Sequence, residues 1–215
     1  MLKLDVKMKL IPLIALVAWV TISFSVSAIL ICNKFAEMAF QDQNRFAEEL
    51  VTQAGIRYFE ALAWSENGIA QVEIGSLSKA AESFEKVSDL LAEAFDLYEQ
   101  VIAIGRRVGI KPTFVEAMKG LDYDKIQKEH GLQPRIWSEV ATLGRKGDVL
   151  GLFQRMQQFI KHISDQSEAL ANMAAKGAKP SLEQITKLVE AWQDSTAFGH
   201  YTVILARAVE QALGR

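Results

Sequence analysis

Cysteine is nearly absent from this chain, whose 215 residues include only Cys32. A single thiol cannot form an internal disulfide, and it excludes zinc or iron–sulfur sites built from several cysteines. The only histidines are His130, His162 and His200. They fall in different predicted helices and lack the Glu-x-x-His spacing that places paired metal ligands on one helix face. We therefore expect no metal site and no cofactor.

Sequence signatures of catalysis are also missing. The chain has neither a Walker-type glycine loop nor a Cys-x-x-Cys-His haem attachment site. His162 and Asp165 lie one helical turn apart, a spacing that is more typical of a solvated surface pair than of a catalytic site. The sequence thus predicts a protein that is not an enzyme.

An excess of positive charge is lacking as well. Lysine and arginine number 24 against 26 aspartates and glutamates, which gives a formal net charge of -2. Nucleic-acid binding depends largely on neutralising phosphates with basic side chains. We therefore expect no nucleic-acid partner.

What the chain does have is a long apolar run near its amino terminus. The 23 residues from Leu10 to Cys32 carry no charge, and as a helix they would extend about 34 Å, slightly more than the hydrocarbon core of a bilayer. The run is also longer than the apolar region of most secretory signals. We predict a retained single transmembrane helix, with the membrane-anchor residues Leu10, Leu13, Trp19, Phe24 and Leu30.

Two other interpretations of this run remain open. The segment "SVSA" provides small residues, Val26 and Ala28, for cleavage of a signal peptide. Lipidation of Cys32 fits less well, because Ile31 occupies the position that a lipoprotein gives to a small residue.

Charges flanking the run predict its orientation. Positive residues accumulate on the cytoplasmic side of membrane spans, and Lys3, Lys7 and Lys9 precede this one. We predict two parts: residues 1–34, a cytoplasmic tip and membrane anchor, and residues 35–215, an all-helical domain on the periplasmic or other extracytoplasmic side. Ser23 and Ser27, four residues apart, could let another span approach closely.

Beyond the anchor, apolar residues follow helical rather than strand periodicity. The apolar pattern from Phe46 to Leu62 predicts that the membrane helix continues outward to about Gly75. A second helix is predicted from Leu77 through Val101, and two more after Asp148 and after Ser181. Each carries apolar residues at three-to-four spacing, the pattern of a helix that packs along one side. The fold class is therefore predicted to be all-α, a helical bundle.

Short helices are predicted between the second and third long ones. Thr113 and Glu116 have the spacing of a capping box, Asp122 could cap the next helix, and "RIWSEVATLGR" forms another. Near the carboxy terminus, "DSTAFG" predicts a bend in the last long helix.

Part of the chain resembles one tetratricopeptide repeat. In "WSENGIAQVEIGSLSKAAESFEKV", an aromatic and several small residues stand where two antiparallel helices would cross. The residues carrying the resemblance, within about residues 64–92, are Trp64, Gly68, Gly75, Leu77, Ala80, Phe84 and Val87. Shifting by the family's period finds no second copy, although such units normally stack in series.

The sequence favours a membrane-anchored accessory or scaffold subunit that binds and organises a partner membrane protein complex. Two features favour this function: the helices carry apolar faces, and the sequence has no recognisable group of catalytic residues. The expected partners are the lipid bilayer, other membrane or extracytoplasmic subunits and a second copy of the chain. The alternative is an extracytoplasmic ligand-sensing bundle that acts through a partner. Predicted partner-packing residues are Ser23, Ser27, Trp64, Phe84, Tyr98, Trp137 and Trp192.

Overall fold

The structure is a computed structural model that describes residues 36, 38–40 and 45–214. These residues form α-helices joined by short turns, and the described ranges contain no β-strand beyond an isolated bridge between Phe40 and Ile110. The helices are α1 (Arg45–Ile74), α2 (Leu77–Val108), α3 (Pro112–Lys119), α4 (Tyr123–His130), α5 (Pro134–Lys146), α6 (Val149–Ala175) and α7 (Leu182–Ala212). The predicted all-α bundle with short inserted helices is confirmed for this part of the chain.

The long helix α2 lies at the centre of the bundle. It packs extensively against α1 on one side and α6 on the other, whereas α1 and α6 barely touch. Helix α7 packs against α6 and α5, and also contacts α3. The periodic apolar residues predicted for the second helix are buried in this arrangement, among them Phe84, Leu91 and Val101. The apolar faces of these helices are therefore covered largely by other helices of the same chain.

Helix ends follow the local sequence closely. Gly75 adopts φ +82°, a left-handed conformation that a residue with a side chain rarely takes, and it ends α1 at the predicted position. The side chains of Asp122 and Asp148 accept hydrogen bonds from Lys125 N (2.9 Å) and Gly151 N (2.8 Å), which confirms both predicted caps.

One predicted cap is wrong. Thr113 does not begin α3, because the helix starts one residue earlier at Pro112, with Lys111 in the capping position. Proline suits the first helical position, since its fixed φ is already helical and no N–H is needed there. The segment "DSTAFG" lies inside α7, which the structure shows as one helix from Leu182 to Ala212.

The tetratricopeptide resemblance corresponds to a real helical hairpin, α1 and α2, but one of its residues is misplaced. Trp64 projects from the hairpin toward solvent instead of packing where the helices cross. The crossing is made by Gly68 and Phe84, both buried.

The predicted membrane anchor, including Leu10, Leu13, Trp19, Phe24 and Leu30, lies outside the described residues. Among the helices that the structure does describe, none is both long enough and apolar enough to cross a membrane.

Candidate docking face

The inner side of α1 is fixed to α7 by aromatic and hydroxyl contacts. Trp192 donates its indole N–H to Ser65 Oγ at 3.1 Å, and its ring lies 5.0 Å from that of Tyr58, centroid to centroid. The Tyr58 hydroxyl lies 3.1 Å from Thr196 Oγ1. Burial raises the pKa of Tyr58 to about 12, so the phenol is neutral at physiological pH. These contacts determine which side of α1 remains outside the bundle.

The side of α1 facing α2 is fixed by a close helix approach. A Cβ added at Gly68 would lie 2.7 Å from Phe84 Cε1, closer than such atoms normally come. Asn67 next to it donates from Nδ2 to Ser83 Oγ at 3.0 Å. Only glycine lets the Phe84 ring seat against the α1 backbone here.

An ion-pair cluster marks the edge of this helix pair. Arg57 on α1 contacts Glu60 Oε2 at 2.8 Å and, across the hairpin, Glu93 Oε2 of α2 at 2.7 Å. The hydrogen bond to Glu60, followed by the charge of Glu93, raises the pKa of Arg57 further. All three side chains are substantially exposed, so these ion pairs contribute little to the free energy of unfolding. They orient the three side chains along the edge where α1 meets α2.

Large apolar side chains are exposed mainly on α1. Five such residues occur in the described part of the chain, and four of them belong to this helix. Their exposed fractions are 54% for Phe46, 43% for Ile56, 42% for Trp64 and 75% for Ile74; the fifth residue is Leu182, at 57%. We call the first four the outer face of α1. Scattered apolar residues are normal on protein surfaces, but their concentration on one helix is not explained by packing among residues 45–214.

Helical geometry places these four side chains on one side of α1. Phe46 and Trp64 are 18 residues apart, as are Ile56 and Ile74, and 18 residues make about five full turns. The two pairs are offset by roughly 80° around the helix, at about 100° per residue. The outer face is therefore a stripe along the helix, opposite the residues that pack into the bundle.

The structure separates the predicted partner-packing residues into three groups. Ser23 and Ser27 lie outside the described residues. Trp64 belongs to the outer face of α1. The remaining four, Phe84, Tyr98, Trp137 and Trp192, are buried in the chain's own core.

Trp137 illustrates why these aromatics belong to the core. Its indole N–H donates to the Tyr123 carbonyl oxygen at 3.2 Å, and its ring lies 6.2 Å from that of Tyr201. A tryptophan whose apolar surface and N–H are both satisfied internally has little left to offer a partner.

Sequence reasoning missed Ile56 and Ile74, and it placed Phe46 only in the periodic pattern of the helix. A signal for them exists in the sequence. Together with Trp64 they are spaced 10, 8 and 10 residues apart, out of phase with the core-facing residues of the same helix. An apolar stripe on the polar side of an amphipathic helix indicates a second contact surface.

The side chains considered for catalysis are engaged in surface contacts. His162 Nε2 lies 2.8 Å from Gln166 Nε2, whereas Asp165 pairs with Lys161 at 2.9 Å. Over the described residues, no group of three or more His, Cys, Asp or Glu side chains is placed to hold a metal ion.

Comparison of the chain with protein-family models, with curated proteins and with solved structures yields no match.

Proposed function

We propose that this chain is a membrane-anchored accessory or scaffold subunit that docks a protein partner through the outer face of α1. The observation that carries the proposal is the concentration of exposed apolar side chains on this one helix. Burial of such side chains is the main favourable term in protein association, and aromatic residues are enriched at the centres of interfaces. The proposed anchor ends at Cys32, and α1 begins at Arg45. The docking helix therefore follows shortly after the membrane segment.

Site-specific photocrosslinking in native membranes tests this function. A photoreactive amino acid replaces Ile56 in the full-length chain, and in a separate sample it replaces Leu182, the matched exposed apolar residue outside α1. We expect Ile56 to yield discrete protein adducts, identified by mass spectrometry, and Leu182 to yield far fewer. Equal labelling at both positions, or adducts of Ile56 only with residues 10–32 of its own chain, would contradict the proposal.

A further inference from the structure

The exposed residues of α1 have a spacing that suits pairing with a copy of the same helix. Phe46 and Ile74 lie equally far from Glu60 along the chain, and so do Ile56 and Trp64. The exposed polar residues Gln53 and Asn67 are also equidistant from it. In an interface with two-fold symmetry, residue i contacts residue j while j contacts i. A helix can therefore pair with an antiparallel copy of itself, apolar residue against apolar residue, when its exposed apolar residues are equally spaced on either side of one position.

From this spacing we infer that the outer face of α1 binds the same face of a second copy of this chain, antiparallel, with the two-fold axis passing near Glu60. This inference rests on the proposed function, because it names the partner that the docking face takes.

The apolar residues match in this arrangement. Phe46 of each copy lies opposite Ile74 of the other, and Ile56 lies opposite Trp64. Four apolar contacts thus form along the interface, two near the axis and two at its ends. A shift by one residue would place Trp64 opposite Arg57 or, in the other direction, Phe46 opposite Glu73, so apolar pairing favours this register.

Polar groups are matched as well. Gln53 of one copy lies opposite Asn67 of the other. The Asn67 amide already donates to Ser83 Oγ and accepts from Gln71 within its own chain, but its second N–H and second lone pair leave capacity for a hydrogen bond with Gln53. The one unfavourable opposition is Glu60 against Glu60 at the axis. Arg57 lies 2.8 Å from Glu60 within each copy, so the pairing brings two guanidinium groups into the same cluster as the two carboxylates and offsets their repulsion.

The interface is modest in size. Helix α1 has 30 residues and is about 45 Å long, so a contact strip of about 10 Å width covers on the order of 450 Å² per copy. A standard stable interface buries about 800 Å² per partner. Two chains anchored in one membrane have a raised effective concentration, which favours association of this strength. The dimer should therefore be sought with the full-length, membrane-bound protein.

Cysteine pairs test the register directly. In a Cys32→Ser background, differently tagged full-length chains carry Gln53→Cys or Asn67→Cys and are coexpressed in native membranes, which leaves all four apolar residues intact. In the inferred register, residue 53 of one copy meets residue 67 of the other. The two copies of residue 53 are about 21 Å apart along the helix axis. Disulfides need Cα atoms within about 7 Å, so we expect mixed dimers to exceed same-site dimers by roughly tenfold.

Charge substitutions provide the matched control. Adding Ile74→Asp to both tagged chains should abolish the mixed disulfide, because it places a carboxylate opposite Phe46. Adding Leu182→Asp should leave the yield unchanged. Equal or greater yield from Gln53→Cys alone would overturn the antiparallel register.

Absence of any disulfide would overturn the inference altogether. If the photoreactive residue at position 56 then captured a different protein, the proposed function would survive while the second copy was rejected. If it captured no protein, both would fail.

Discussion

At the residue scale, Gly68 shows how one missing side chain sets the position of α1. Because Gly68 has no side chain, the buried Phe84 ring of α2 can lie directly against the α1 backbone. The outer face of α1 points outward as a consequence of this approach and of the Trp192 contacts.

We predict that Gly68→Ala destabilises the fold. Alanine gains about 1 kcal/mol in helix propensity, but its Cβ meets Phe84 at 2.7 Å. Overpacking of a core costs typically about 1–3 kcal/mol. Denaturant unfolding should therefore show a net loss of up to about 2 kcal/mol, and Phe84→Leu should cost less in the Gly68→Ala background than in the wild-type chain.

Gly199 is the matched control. It lies inside α7, and a Cβ there would meet only Met156 Cε at 4.0 Å. Gly199→Ala should stabilise the protein by up to about 1 kcal/mol through helix propensity alone. If Gly68→Ala and Gly199→Ala both raised the free energy of unfolding, the contact between Gly68 and Phe84 would not be tight.

At the element scale, the boundaries of the helices are encoded locally. Ser181 at the start of α7 forms a complete capping box: its Oγ accepts from Gln184 N at 3.2 Å, and its own N–H donates to Gln184 Oε1 at 2.9 Å. Ser76 occupies the same position before α2, but its side chain makes no capping hydrogen bond. Residue type alone therefore does not establish a cap.

We predict different costs for removing these two serines. Ser181→Ala leaves a helix N–H without its acceptor and should lower the free energy of unfolding by about 1 kcal/mol. Ser76→Ala should change it by less than about 0.5 kcal/mol. Thermal unfolding of both variants measures the difference, and a Ser76→Ala loss as large as that of Ser181→Ala would contradict the assignment.

At the scale of the whole molecule, we expect pH to act on stability through His200 on α7. His200 is half-buried, and its pKa is lowered first by burial, then by the charges of Arg207 and His130. The unfolded chain therefore binds a proton more readily than the folded chain below the ordinary histidine pKa of about 6.5.

We predict that unfolding becomes easier as pH falls through 6.5 toward the lowered pKa of His200, and that His200→Gln reduces this dependence. The folded state disfavours the imidazolium, so its stabilisation relative to the unfolded chain is present at neutral pH and declines with acidification. Chemical denaturation at several pH values between about 5 and 7.5 measures the slope. A His200→Gln slope equal to the wild-type slope would contradict this prediction.

The sequence by itself determined the all-α class, the turn at Gly75 and the caps at Asp122, Asp148 and Ser181. These features depend on contacts within a few residues, so periodicity and capping chemistry are sufficient to predict them. The start of α3 was mispredicted because Pro112 competes locally with Thr113. The anchor, the localisation and the accessory function remain predictions.

Only the tertiary structure decided which aromatic side chains are available to a partner. Trp64 and Trp192 have similar surroundings in sequence, each on an amphipathic helix, yet one is exposed and the other buried against Ser65 and Tyr58. Which helix covers which face depends on contacts between residues more than a hundred positions apart. Local patterns carry no information on such pairings. The spacing of 10, 8 and 10 residues marks an apolar stripe on α1 in the sequence, but only the assembled bundle shows that the other described helices leave this stripe exposed.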